Sequence, residues 1–134
     1  MPDFFSEQLR ELREHRLAGL DLGSDFLYPR YEGRSILNIP ATVCRLLGIP
    51  EMGAQPVEAE PLYKLGEGVR RVIMILMDAL ALHRLQRWMS DGTASIWNAL
   101  AQEGVLLPLT SIIPSTTSDP HMPLTACMVV PSPP

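Results

Sequence analysis

The first twenty residues carry apolar side chains at the spacing of one helix face. Phe5, Leu9 and Leu12 recur every three or four positions, and acidic and basic residues fill the positions between them. This pattern predicts an amphipathic helix over residues 3–19. A second helix is predicted over residues 40–48, because proline suits a first helical turn and glycine suits the position after the last one.

The segments around the second helix lack periodicity. Residues 20–39 contain scattered glycine and proline, and residues 49–68 contain three prolines and three glycines. The composition of residues 49–68 is typical of a linker. We therefore expect a helical lead-in over residues 1–48, a linker over residues 49–68 and a separate domain over residues 69–134.

The hydrophobic pattern changes after two arginines at positions 70 and 71. Residues 72–77 read VIMILM, a continuous apolar run of strand length, and Asp78 ends it. Such a run predicts a strand that is buried on both faces of a parallel sheet.

Two helices and a second strand are predicted after this run. Residues 79–90 have helical spacing, an Asp-Gly pair marks a turn, and a further helix ends at Gly104. Residues 105–113 return to strand character, with Pro108 indicating an edge or a bend. The order strand, helix, helix, strand predicts the beginning of an α/β domain.

Composition and charge narrow the class of function. The 134 residues carry a net charge of −4, and their 11 basic residues are scattered, which argues against a nucleic-acid partner. The longest apolar run is far shorter than the roughly 20 residues of a bilayer span, and acidic residues occupy the place of a signal peptide. Cys44 and Cys127 form no CxxC pair. We expect a cytoplasmic protein with reduced thiols and no membrane partner.

Two positions carry candidate chemistry. Asp78 follows a predicted buried strand, and functional sites in α/β sheets gather at the carboxyl ends of strands, where a carboxylate can hold a divalent metal ion. Thr117 ends a hydroxyl-rich Pro-Ser-Thr-Thr turn, and a threonine hydroxyl activated by a metal ion can attack an electrophile. Taken alone, each residue is also explained by capping of a helix.

The ordered set of motifs resembles the opening of the alkaline phosphatase superfamily, in its type I phosphodiesterase/nucleotide pyrophosphatase branch. The matching pieces lie within residues 69–118 and are MDAL at 77–80, Gly104-Val105, and PSTT at 114–117. The resemblance implies an α/β/α sandwich. It also implies that Asp78 ligates one of two divalent metal ions, usually zinc, and that Thr117 is the nucleophile and contacts the same ion.

The resemblance further implies hydrolysis of phosphate diesters or nucleotide pyrophosphate bonds, with a small phosphate ester or nucleotide as substrate. Thr117 attacks phosphorus, a covalent enzyme intermediate forms, and water hydrolyses it. Phosphomonoesterase, phosphonate hydrolase and mutase-like activities remain open within the superfamily. A sulfatase is disfavoured, because its CxPxR motif is missing.

The sequence after Thr117 departs from the family. Many members carry an asparagine shortly after the nucleophile, where this chain has Ser118-Asp119-Pro120, and the glycine expected after Leu124-Thr125 is missing. The remaining metal ligands of the family lie further along the chain than the nucleophile. We therefore expect an incomplete sandwich from a truncated or frame-shifted product that is inactive alone, with residues 49–68 and 119–134 poorly packed.

Non-enzymatic functions form the alternative. The helix over residues 3–19 is either the binding face of an interaction module or a helix that packs on its own domain. A receiver-type module also has an aspartate at a strand end, but the acidic pair and the later lysine that it needs are missing. His15 and His83 are expected to be solvated, and the oligomeric state is left open.

Overall fold

The computed structural model describes residues 2–23, 26–77, 80–112 and 124–129, which contain five α-helices and two β-strands. In chain order they are α1 (Pro2–Glu14), a 3-10 helix (Ile36–Asn38), α2 (Ile39–Leu46), α3 (Glu60–Leu65), α4 (Leu82–Ser90), α5 (Ser95–Glu103), β1 (Val105–Thr110) and β2 (Leu124–Val129).

The two N-terminal helices confirm the helical patterns of the sequence. In α1, Leu9 and Leu12 are buried on the predicted apolar face. The helix ends five residues earlier than predicted, where the Arg16 guanidinium donates to the carbonyl of Arg13 (2.8 Å) and satisfies a terminal acceptor. Gly48 follows α2 with a φ of +67°, a conformation that favours glycine.

Residues 49–68 contribute to the core of the protein. Val57, Ala59 and Leu62 are buried in one cluster, and α3 lies within this segment. The prediction that residues 49–68 are poorly packed is wrong. The segment has little helical or strand periodicity, yet buried side chains satisfy its backbone: the Thr42 hydroxyl accepts from the Val57 N–H (2.8 Å).

Strands β1 and β2 pair as an antiparallel two-stranded sheet. Val105 lies opposite Val129, and Thr110 lies opposite Leu124. All six residues of β1 are buried, which confirms the strand predicted after Gly104. The backbone of residues 124–129 pairs with β1, and the expectation of poor packing over residues 119–134 stays a prediction.

The structure of residues 72–77 differs from the buried strand that the sequence predicts. These residues lie in no helix or strand, and Ile73 and Ile75 are 89% and 81% exposed. The predicted buried strand is therefore wrong for the described structure. A continuous apolar run confers strand propensity, but a strand forms only where a neighbour pairs with it. Here β1 pairs with β2 over its full length, and no parallel sheet forms among the described residues.

The core lies on one face of β1. Val105, Leu107 and Leu109 alternate along the strand and pack against the cluster from residues 57–62. Helices α1 and α5 also lie against β1, and α4 lies against β2. Helix α1, the first described element, therefore packs on the sheet to which β2, the last described element, belongs. The larger α/β/α sandwich remains a prediction.

Candidate functional site

The two residues assigned chemistry from the sequence, Asp78 and Thr117, lie outside the described residues. Two described elements, α4 and β1, have an end that lies near them in the sequence. Helix α4 begins at Leu82, shortly after Asp78 in the sequence, and β1 ends at Thr110, the last strand residue before Thr117. These two ends are the described parts of the fold that lead to the predicted site.

The chain between them folds in the predicted order of helix, helix and strand. Leu82 and Leu85 anchor α4 by burial. The predicted turn after α4 is confirmed: Gly92 has a φ of +80°, and the Asp91 carboxylate accepts from the Thr93 N–H (2.9 Å). Hydrogen bonding to Thr93 also lowers the pKa of the Asp91 carboxyl. The Gly104 N–H closes α5 on the carbonyl of Leu100 (2.8 Å), and β1 starts at the next residue.

The carboxyl end of β1 is held by Thr110, which has no exposed surface. Its hydroxyl accepts from the Arg30 N–H (3.0 Å) and donates to the carbonyl of Arg34 (3.1 Å), while its own N–H donates to that same carbonyl (2.8 Å). The Ser35 hydroxyl donates to the Thr110 carbonyl (3.1 Å). These bonds hold the carboxyl end of β1 to residues 30–35.

Asn38 organises the loop that receives Thr110. Its side-chain oxygen accepts from the Ser35 N–H (2.8 Å), and its side-chain nitrogen donates to the carbonyls of Tyr31 and Gln55 (both 2.8 Å). Sequence reasoning missed this group. The Ser-x-x-Asn spacing just before Pro40 is close to the capping-box pattern and was the available signal.

Two arginines flank the same strand end. A Glu11 carboxylate oxygen lies 3.5 Å from the Arg30 guanidinium and 3.8 Å from that of Arg34, and Glu58 lies 3.9 Å from Arg34. The Arg34 side chain is only 10% exposed, and this burial lowers its pKa, an effect that Glu11 opposes. Guanidinium groups bind phosphate well, but carboxylates already compensate these two, so their role here is to join α1 to the loop beside β1.

The described residues supply no metal centre. Within them, no group of three or more His, Cys, Asp and Glu side chains is placed to hold a metal ion. His83 is exposed on α4, as predicted. His15 is half-buried rather than solvated, and its Nε2 atom has no hydrogen-bond partner among the described residues. The metal ligands assigned by the resemblance, Asp78 and Thr117, lie outside the described residues and stay a prediction.

An open depression of about 390 Å³ lies between the C-terminal ends of α2 and α3. Arg45 lies over the Tyr63 ring, 5.2 Å from its centroid, and donates to Glu51 (2.7 Å). The lining residues are Arg45, Leu46, Leu47, Gly48, Tyr63, Gly66, Glu67, Gly68 and Val69. They include no Ser, Thr, Cys or His, so the depression offers no hydroxymethyl or thiol nucleophile and no imidazole base, and its titratable side chains are Arg45, Tyr63 and Glu67.

Comparisons with known proteins return no relative. No protein-family model, curated protein or solved structure matches this chain. The family expected from Asp78, Gly104-Val105 and the PSTT turn therefore stays a prediction. Among the described helices, none has the length and hydropathy that a bilayer span requires.

Proposed function

We propose that the segment from Asp78 to Thr117 is the first part of a metal-dependent phosphodiesterase or nucleotide pyrophosphatase site of the alkaline phosphatase type. The observation that carries the proposal is the ordered series of an apolar run ending in Asp78, two helices, Gly104-Val105 and a PSTT turn. The fold supports it in one respect: α5 ends at Glu103, Gly104 caps it and β1 begins at Val105, where the family pattern has its helix-to-strand junction.

Thr117 has the role of nucleophile in this proposal. Its hydroxyl oxygen forms a bond to phosphorus while the bond from phosphorus to the departing alcohol or nucleotide breaks. Water then cleaves the threonine ester, which releases the phosphate product and returns the hydroxyl. Asp78 and Thr117 are the residues that would hold a divalent ion, which lowers the pKa of a bound hydroxyl and neutralises developing charge when present.

The same proposal makes this chain inactive by itself. Catalytic zinc sites use about three protein ligands for each ion. Asp78 and Thr117 supply one oxygen-bearing side chain each, and His121, the one histidine after Thr117, matches no ligand motif of the family. The described residues add no metal-holding group. Two ions and a substrate phosphate therefore need ligands from another segment.

Helix α1 gives little support to the alternative of an interaction module. Its residue Leu12 has no exposed surface, and the helix lies against β1. The apolar face that would bind a partner is already used inside the chain.

Hydrolysis of bis(4-nitrophenyl) phosphate with added zinc tests the inactivity. We expect the chain, Thr117→Ala and the matched control Thr116→Ala to release nitrophenol at the same rate as zinc in buffer. Turnover by the unmodified chain that Thr117→Ala abolishes and Thr116→Ala retains would contradict the inactivity, while it would support Thr117 as the nucleophile.

Sequencing the coding DNA through and beyond codon 134 tests the family. We expect another reading frame to continue from the PSTT turn with a Thr-Gly element and later clusters of Asp and His codons. If no frame encodes such clusters, the roles given to Asp78 and Thr117 are withdrawn.

A further inference from the structure

Residues 72–77 form a continuous apolar surface on the described part of the protein. Five consecutive side chains, at positions 73–77, are 50–89% exposed. The other large exposed apolar side chains are scattered singly along the chain, which is ordinary for a protein surface. A contiguous exposed apolar segment is instead typical of an interaction site.

The backbone of this segment is also available for pairing. Residues 70–77 lie in no helix or strand, and they form no backbone hydrogen bond with another described residue. The sequence VIMILM contains β-branched residues and no proline, glycine or charge, which is the composition of segments that assemble as strands. The segment thus lacks only a partner strand.

The charges on either side of residues 72–77 indicate which kind of strand can pair with this segment. Exposed Arg70 and Arg71 precede it, and neither forms an ion pair with another described residue. Asp78 follows it in the sequence. The segment is therefore positive at its amino end and negative at its carboxyl end, so a second copy that runs antiparallel is complementary to it in charge.

We infer that two copies of this chain associate through antiparallel pairing of residues 72–77. In the symmetric register every apolar residue faces an apolar residue of the second copy: Val72 faces Met77, Ile73 faces Leu76, and Met74 faces Ile75. The same register sets Arg71 opposite Asp78 at both ends of the pair, and opposite charges across a strand pair are stabilising. The interface is self-complementary, as a two-fold dimer requires.

A parallel arrangement is disfavoured by the same charges. In a parallel in-register pair, Arg71 faces Arg71 and Asp78 faces Asp78, and like charges directly opposite each other are destabilising. The interface is small compared with those of stable dimers, so association depends on protein concentration.

Sedimentation velocity over a range of protein concentrations tests the association. We expect the average mass to rise from 14.9 kDa toward twice that value, and Ile75→Lys to raise the dissociation constant about tenfold or more. Ile96→Lys is the matched control, because Ile96 is an exposed isoleucine (62%) on α5. A monomeric mass at every concentration, or equal effects of the two substitutions, overturns the inference.

A charge-swap experiment tests the register and shows whether the pairing joins two chains. We expect Arg71→Asp and Asp78→Arg each to weaken association, because each places like charges opposite each other in its own homodimer. An equimolar mixture of the two variants restores both opposite-charge pairs and hence the dimer. If the mixture associates no better than the separate variants, antiparallel pairing between chains is wrong.

Discussion

Three polar side chains with no exposed surface, Ser35, Asn38 and Thr110, hold the loop beside α2 to the end of β1. Each is satisfied by hydrogen bonds to backbone atoms, most of them in other parts of the chain. A buried polar group that loses its partner costs more free energy than the bond contributes when made. The loop and the strand end are therefore held together more strictly than apolar packing alone would require.

Thr110→Val tests this arrangement at a single residue. Valine has nearly the same shape, but it leaves the Arg30 N–H without its acceptor, so we expect the free energy of unfolding to fall by about 1–3 kcal/mol. Urea denaturation measures the change. Thr93→Val, at an exposed turn residue, is the control and should change stability by about 0.5 kcal/mol or less. Equal losses would show that the Thr110 hydroxyl is not structurally important.

The sequence predicts the apolar residues of this region better than its polar ones. Periodicity identifies Leu9 and Leu12 as residues of one apolar face, and both are buried, because burial of one face repeats along an element. The bond from the Ser35 hydroxyl to the Thr110 carbonyl joins residues 75 positions apart and follows no local repeat. The site that contains Asp78 and Thr117 also stays a prediction. A functional site is assembled from segments that are distant in sequence, and no local repeat shows which segments meet.

At the scale of elements, two apolar runs with the same strand character differ in structure: one forms a strand and the other does not. Residues 105–110 form β1 and are buried, whereas residues 72–77 lie outside any strand and residues 73–77 are exposed. Strand propensity is shared by both runs, but β1 has a paired strand along one edge and the residue 57–62 cluster on one face. Composition predicts that a run can form a strand, and its neighbours decide whether it does.

Because β1 is buried, we expect truncation of one of its side chains to lower the free energy of unfolding strongly. Leu109→Ala removes methyl groups from a side chain with no exposed surface, and we expect a loss of about 2–5 kcal/mol in the free energy of unfolding. Ile96→Ala on α5 is the comparison and should change it by about 0.5 kcal/mol or less. Thermal unfolding followed by circular dichroism measures both. Similar melting temperatures for the two variants would place the core elsewhere.

At the scale of the whole molecule, side-chain contacts and hydrogen bonds join the described parts of the chain to one another. Helix α1 lies against β1, and the Glu11 carboxylate joins it to Arg30 and Arg34, which bond to Thr110 through their backbone. The segment 49–68 adds core residues between these parts. Proline and glycine mark loops whether or not those loops are buried, and the predicted division of the chain at residues 48 and 68 stays a prediction.

This connection predicts that α1 stabilises the opposite end of the chain. Leu12→Ala should speed amide hydrogen exchange at Leu107 and Leu109 by the factor that corresponds to a loss of about 2–5 kcal/mol. Arg13→Ala, at an exposed position on the same helix, should leave those amides nearly unchanged. Unchanged protection of β1 in Leu12→Ala would mean that α1 folds independently of the sheet.

The bond between Ser35 and Thr110 also sets an order on events during protein synthesis. At about 5–20 residues per second, a ribosome needs about 4–15 s to add the 75 residues that separate them. Throughout that interval the loop around Asn38 and the apolar face of α1 have no strand to bind. The nascent chain therefore exposes these groups during that interval, and the rate of translation between the two positions sets how long it does so.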